Sequence, residues 1–180
     1  DLLMLESMVT EILETSRLES QNGRLNFHQL DVVKMVKNVL GHYSEGKPEI
    51  ALKEFPESLE LEADPEQLRI VLENLLNNAR RFSDDASNPI EVSIVRREDQ
   101  AVLSVRDYGV GIATEEQNMI FEPFYQIDKS RFRDSNHYCL GLNLCRTIIE
   151  AHDGNLRVES EEGSGSTFFL EIQMNLQSKD

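Results

Sequence analysis

The stretch Asp64-Pro65-Glu66-Gln67-Leu68-Arg69-Ile70-Val71-Leu72-Glu73-Asn74-Leu75-Leu76-Asn77-Asn78-Ala79-Arg80-Arg81-Phe82 carries its own start signal and two distinct faces. Asp64 is a capping acid and Pro65 suits the first helical position, where a missing amide costs nothing. Gln67 stands three residues after the cap. At 100° per residue, Leu68, Val71, Leu72, Leu75, Leu76 and Ala79 gather on one side. The spacing therefore predicts a helix from Pro65 to about Phe82 with an apolar stripe. Asn74, Asn78 and Arg81 fall together on another face, at i, i+4 and i+7, with Phe82 beside them. An asparagine carbonyl can ligate Mg²⁺, arginine can hold phosphate, and a ring can cover a base. The stripe is equally compatible with a solvated polar face.

Upstream, residues 1–20 read as a helix in which Leu2, Leu5, Val9 and Ile12 recur at three- and four-residue steps. Such a seam suits packing against another helix, and an ordinary core stripe would look the same. Gly23 is a C-terminal stop, so a domain boundary is placed between segments 1–23 and 24–180. The chain starts inside an amphipathic pattern, as a fragment would. Asp31 caps a second helix bearing Val32, Val33, Met35, Val36, Val39 and Leu40. Strands are expected at 50–55 and 59–63, at 90–95 and 101–107 joined through a polar segment, and at 155–160 and 167–174 flanking a turn, with antiparallel-looking hairpins among them. Thr114-Glu115-Glu116-Gln117 opens a short helix, 126–140 reads as a loop, and a helix runs from 141 to 152. The order implies an α+β fold: a two-layer sandwich whose mixed sheet is covered by helices on one face, with an N-terminal helix.

Bulk composition narrows the function classes. The 180 residues are 39% hydrophobic and 28% charged, as in ordinary globular proteins. Lysine and arginine total 18 against 33 aspartates and glutamates, a net charge of −15. A field of that sign disfavours nucleic acid and direct contact with an anionic membrane. It leaves phosphate sites open, because those depend on local donors. No apolar run approaches the ~20 residues of a membrane span. Cys139 and Cys145 have neither metal-type spacing nor a disulfide framework. A reducing, cytoplasmic setting is the simple expectation.

Three further motifs carry chemistry. Asp107-Tyr108-Gly109-Val110-Gly111-Ile112 ends a strand; its carboxylate can accept from an exocyclic amine, and its glycines let backbone approach a ligand. A plain glycine turn is the competing reading. Phe121-Glu122-Pro123-Phe124-Tyr125 precedes Lys129, Arg131 and Arg133, a basic cluster in an acidic chain. Gly141-Leu142 opens a helix whose amides can hold an anion. Gly163-Ser164-Gly165-Ser166-Thr167-Phe168 reads as a hairpin turn with the start of a strand.

In this order, the Asn74–Ser83 run, Asp107-x-Gly109-x-Gly111-Ile112, Phe121-Glu122-Pro123-Phe124-Tyr125, Leu140-Gly141-Leu142 and Gly163-x-Gly165-Ser166-Thr167-Phe168 resemble the catalytic domain of sensor histidine kinases. Residues 1–20 look like the second helix of that family's dimerisation hairpin. The resemblance implies an ATP- and Mg²⁺-dependent kinase that passes the γ-phosphoryl group to a histidine outside this chain. A response-regulator receiver domain and a second copy of the parent are the implied partners. Asn78 matches the Mg²⁺ ligand, and Asn74 the polar catalytic position before it, where related hydrolases place a glutamate base. Arg81 matches a lysine near the phosphates, Phe82 a tyrosine beside the nucleotide, and Asp107 the adenine-reading aspartate. Arg131 matches a basic lid residue. Gly109, Gly111, Ile112, Lys129, Leu140, Gly141, Leu142 and Thr167 complete the implied nucleotide site. The chain departs from the family at Ser135-Asn136-His137-Tyr138-Cys139, where glycines are usual. That departure implies weakened ATP binding, or alternatively a degenerate module serving as a binding scaffold. None of His28, His42, His137 and His152 is followed by the acidic residue, arginine and proline of the phosphoacceptor.

Overall fold

Strand alternation builds the first layer. In the computed structural model, which describes residues 2–20, 24–83, 88–123, 125 and 141–174, β4 (Ile90–Arg97) and β5 (Gln100–Arg106) pair antiparallel. So do β5 with β7 (Gly165–Gln173), and β7 with β6 (Asn155–Glu161). The strand β2 (Ile50–Glu54) lies parallel to β4, giving a five-stranded mixed sheet in the order β2-β4-β5-β7-β6. Every second residue points to one face: Ile90, Val92 and Ile94, then Ala101, Leu103 and Val105, then Phe168, Leu170 and Ile172 are all buried. Those side chains form one core with the apolar stripes of α2 (Val32–Gly41), α3 (Pro65–Phe82) and α4 (Leu142–Ala151). The expected two-layer α+β sandwich is what forms.

The start of α3 holds the second layer in place. Asp64 Oδ1 accepts from the amides of Glu66 (3.1 Å) and Gln67 (3.2 Å), while its Oδ2 accepts from the Asn26 amide at 2.8 Å. The Asp64 amide in turn donates to His152 Nε2 at 3.0 Å. His152, 1% exposed at the end of α4, lies 2.7 Å through Nδ1 from the Ile148 carbonyl. A carbonyl only accepts, so Nδ1 carries the ring proton and Nε2 is the free acceptor. The ring is thus neutral, and Phe27 meets it edge-on at 5.3 Å.

Elsewhere the structure departs from the expected elements. The hairpins form at β4–β5 and β6–β7. The two expected strands at 50–55 and 59–63 belong to different sheets, because β3 (Glu60–Ala63) pairs antiparallel with β1 (His28–Asp31). The strand β1 was not expected; its last residue, Asp31, does cap α2, accepting from Val33 at 3.1 Å. No α-helix follows Thr114. Glu116, Gln117 and Met119 donate to carbonyls three residues back, and only the 3₁₀ turn Met119–Phe121 forms. The Gln117 side chain turns away from Thr114, its Nε2 donating to the Ile112 and Ser160 carbonyls at 3.1 and 2.9 Å. The helix α1 (Leu2–Glu19) lies against α4 and packs Leu18 on the core, leaving Val9, Ile12 and Leu13 exposed. The 126–140 loop, with Lys129, Arg131, Arg133, Cys139 and Leu140, lies outside the described residues.

Burial holds the His152 pKa below its usual value. The unfolded chain therefore binds the proton first, and His152 contributes stability above about pH 6.5 that is lost as the pH falls through its folded pKa. His152→Leu should cost about 1–3 kcal/mol at pH 7.5, the scale of a buried amide losing its acceptor. The gap between wild type and variant in urea unfolding should narrow as the pH is lowered to 5. Because the carboxylates titrate in both proteins, their contribution cancels in that comparison.

Candidate functional site

Four elements end around one cleft, whose space of about 370 Å³ includes volume open to solvent. The last two turns of α3 bring Asn78 and Phe82, the exit of β5 brings Asp107, and the following loop brings Val110, Gly111 and Ile112. The first residue of α4, Leu142, and the start of β7, Ser166 and Phe168, close it. The wall is mainly apolar, with a carboxylate, a carboxamide and a hydroxyl as its polar groups. That is the composition of a small-molecule site that holds a flat apolar body by a few oriented hydrogen bonds.

Asp107 is the charged member. It is 5% exposed, and its Oδ1 accepts from the Gly109 amide at 2.9 Å. Burial pushes its pKa up to about 6, against the downward pull of the Gly109 and Ser166 backbone. At neutral pH it is therefore ionised, but held in a poorly solvated place where an incoming donor is strongly favoured. Its amide donates to the Ser166 carbonyl at 2.8 Å and its carbonyl accepts from the Ser166 amide at 3.3 Å. The β5–β7 pairing thus runs one rung past the strand and fixes Asp107 beside Ser166.

Asn78, Phe82, Asp107, Gly111, Ile112 and Leu142 of the expected site come together here. Asn74 and Gly141 meet each other one step away. The Asn74 Nδ2 donates back to the Ile70 carbonyl at 2.8 Å, and its Oδ1 abuts Gly141, where a Cβ would stand only 1.9 Å off. Arg81 is exposed on the last turn of α3, outside the cavity wall. Thr167 stands apart as well. Alternation turns it to the opposite sheet face from Ser166 and Phe168, across from Arg106 and Glu159. Val110, Ser166 and Phe168 are the lining residues that sequence reasoning missed, and strand parity in β7 was the available signal for the last two.

The glycines allow close approach of backbone within the protein itself. A Cβ on Gly109 would lie 2.1 Å from the Phe82 carbonyl oxygen, and one on Gly111 would lie 2.0 Å from that of Glu161. Both let the protein's own backbone segments pack together, and Gly111 does so while lining the cavity. Gly109→Ala should therefore lower stability by about 1–3 kcal/mol in urea unfolding, the usual cost of overpacking. Gly41→Ala, at the end of α2 with nothing within 4 Å of the new methyl, should cost nothing.

Comparison with known proteins agrees with this geometry. A family model described as "Histidine kinase-, DNA gyrase B-, and HSP90-like ATPase" matches residues 63–176, which hold every residue of the cavity. The adaptive-response sensory kinase SasA of Crocosphaera subtropica is 34% identical over 176 residues, covering 94% of this chain and 45% of that protein. The sensor-like histidine kinase SenX3 of Mycobacterium tuberculosis is 33% identical over 171 residues, 93% of this chain and 42% of that protein. The chain thus spans less than half the length of these curated relatives. Among solved structures, the Acinetobacter baumannii histidine kinase AdeS superposes with a TM-score of 0.77 at 26% identity, over 97% of this chain and 80% of that one. With the family model spanning more than half of its length, the chain belongs to the histidine kinase-, DNA gyrase B- and HSP90-like ATPase family.

Proposed function

We propose that residues 24–180 are the ATP·Mg²⁺-binding catalytic module of a two-component sensor histidine kinase, and that residues 1–23 are the end of its dimerisation helix. The observation that carries this reading is Asp107, a buried carboxylate at the edge of an apolar cavity beside Asn78. Asp107 accepts from the adenine amine while Phe82 and the apolar wall cover the base. Asn78, 6% exposed and lining the same cavity, offers its carbonyl oxygen to Mg²⁺. Among the described residues no group of three histidines, cysteines or acids could cage a metal. That suits Mg²⁺, which prefers to keep waters and phosphate oxygens as ligands. Bound Mg²⁺ supplies charge neutralisation on the phosphates.

Arg81, with Lys129 and Arg131 of the lid, adds positive charge towards the phosphates, and Gly141 with Leu140 and Leu142 frames their approach. Asn74 has no useful basicity, which favours phosphoryl transfer over hydrolysis. The γ-phosphoryl group passes to a histidine outside this chain and then to a response-regulator aspartate, with positioning and electrostatics doing most of the work. A homodimeric parent with this module in the cytoplasm completes the proposal. No described helix is long and apolar enough to cross a membrane. The scaffold alternative is not favoured, since the relatives are named as kinases and the cavity keeps its carboxylate.

Calorimetric titration with an ATP analogue should show Mg²⁺-dependent binding. Asn78→Ala should lose most of that Mg²⁺ dependence, and Asp107→Asn should erode the preference for ATP over GTP, each by about 1–3 kcal/mol. Adenosine, which has no phosphate to titrate, should bind progressively worse below about pH 6 as Asp107 takes up its proton; in Asp107→Asn that dependence should vanish. If both variants match the wild type, the nucleotide sits elsewhere. Mixed with γ-labelled ATP and a histidine-bearing dimerisation hairpin, the chain should place acid-labile label on the hairpin and none on itself. Label on one of its own four histidines would refute that assignment of donor and acceptor.

A further inference from the structure

Ser160 stands on β6 directly across from Ser166 on β7. Three groups meet at its hydroxyl. The Ile112 amide donates to it at 2.8 Å, the Gly165 carbonyl oxygen lies at 2.9 Å, and Ser166 Oγ lies at 2.9 Å. A serine hydroxyl has one proton and two acceptor sites. The Gly165 carbonyl has no proton of its own, so that contact is attractive only if Ser160 donates to it. With its single proton spent there, Ser160 can meet Ser166 only as an acceptor, and Ser166 must be the donor. The count then closes: Ser160 gives one hydrogen bond and receives two, with nothing left over.

The consequence appears in the cavity that Ser166 lines. Its proton points away to Ser160, so its oxygen offers the cavity only lone pairs. The neighbouring Asp107, joined to Ser166 by two main-chain hydrogen bonds, is likewise an acceptor when ionised. The two side chains form a polar edge that can receive protons and cannot give one. A 6-amino purine brings two N–H groups to such an edge, directly or through a water. A 6-keto purine brings an oxygen to which neither Asp107 nor Ser166 can give a proton along that edge, and a buried acceptor left unpaired is disfavoured.

We propose that Ser160 is a positioning residue for base selection: by accepting the Ser166 proton it fixes an acceptor-only edge that favours 6-amino over 6-keto purines. This rests on the adenine-nucleotide reading of the cavity. It goes further by naming a residue outside the cavity wall and giving the sign of its effect.

The test is the ratio of ITP to ATP dissociation constants, measured with Mg²⁺ on the full chain. The wild type should prefer ATP. Ser160→Ala frees the Ser166 proton to turn toward the ligand, so the ratio should shrink on the order of tenfold, mainly through tighter ITP binding. Ser160→Cys fills the same space with a poor acceptor and should act in the same direction, which covers the case of an alanine variant that does not fold. Ser160→Thr keeps the hydroxyl and should keep the wild-type ratio. In a Ser166→Ala background, Ser160→Ala should change the ratio no further, since the group it acts through is gone. A folded Ser160→Ala with an unchanged ratio overturns the proposal, as does an equal effect with and without Ser166. Equal wild-type affinity for ATP and ITP would also overturn it while leaving the site in place. Failure of the wild type to bind any adenine nucleotide would remove the site reading itself.

Discussion

Asp64 closes three junctions within a few ångströms. One oxygen caps α3, the other holds the Asn26 amide, and its own amide reaches His152 at the end of α4. At 7% exposure the group is largely withdrawn from water, so each of these bonds replaces one that solvent would have made. Because an α-helix rises about 1.5 Å per residue, fixing the first turn of α3 sets where its far end falls, roughly 20 Å away. That far end carries Asn78 and Phe82. The cap thereby anchors one end of the helix whose other end lines the cavity.

The cavity itself is a product of chain ends meeting. Helix α3 stops, β5 exits, α4 begins and β7 begins around the same space, and none of these ends could be satisfied alone. The Phe82 carbonyl receives the Val110 amide at 3.3 Å, Ile112 gives its amide to Ser160, and Asp107 shares two main-chain bonds with Ser166. Polar backbone that an isolated terminus would leave to water is thereby used to hold a loop of two glycines against two other segments. The result is a preorganised carboxylate on an otherwise apolar wall, ready before any ligand arrives.

Much of this was legible where signals were local. The start and stripe of α3 could be read because capping chemistry and a 3.6-residue period coincide within 18 residues. Asp107 could be read because a strand pattern ended on a carboxylate followed by glycines. What could not be read depends on partners far away in sequence. The four residues of β1 carry no strand signal of their own and form only because Glu60–Ala63 offers an edge. The strands β2 and β3 are neighbours in sequence, yet β2 pairs with β4, in parallel, across an intervening helix. Nothing in the neighbourhood of Gly109 announces the Phe82 carbonyl against which it packs. Thr167 was chosen over Ser166 by motif position, where the alternation of β7 would have chosen Ser166.

The strand order has one more consequence. A sheet of five strands leaves two outermost ones, and a bare strand edge is an invitation for copies to add on and grow into fibres. Here both margins carry charge. On one side β2 bears Lys53, paired with Glu91 at 3.5 Å, and Glu54, with Pro56 two residues on. On the other, β6 bears Arg157, Glu159 and Glu161, with the Arg157 guanidinium lying 3.9 Å over the Phe169 ring and bonded to Glu171. A second copy approaching either margin would have to desolvate these groups before gaining a single backbone bond. Both rims of the sheet thereby carry charge that disfavours edge-to-edge pairing.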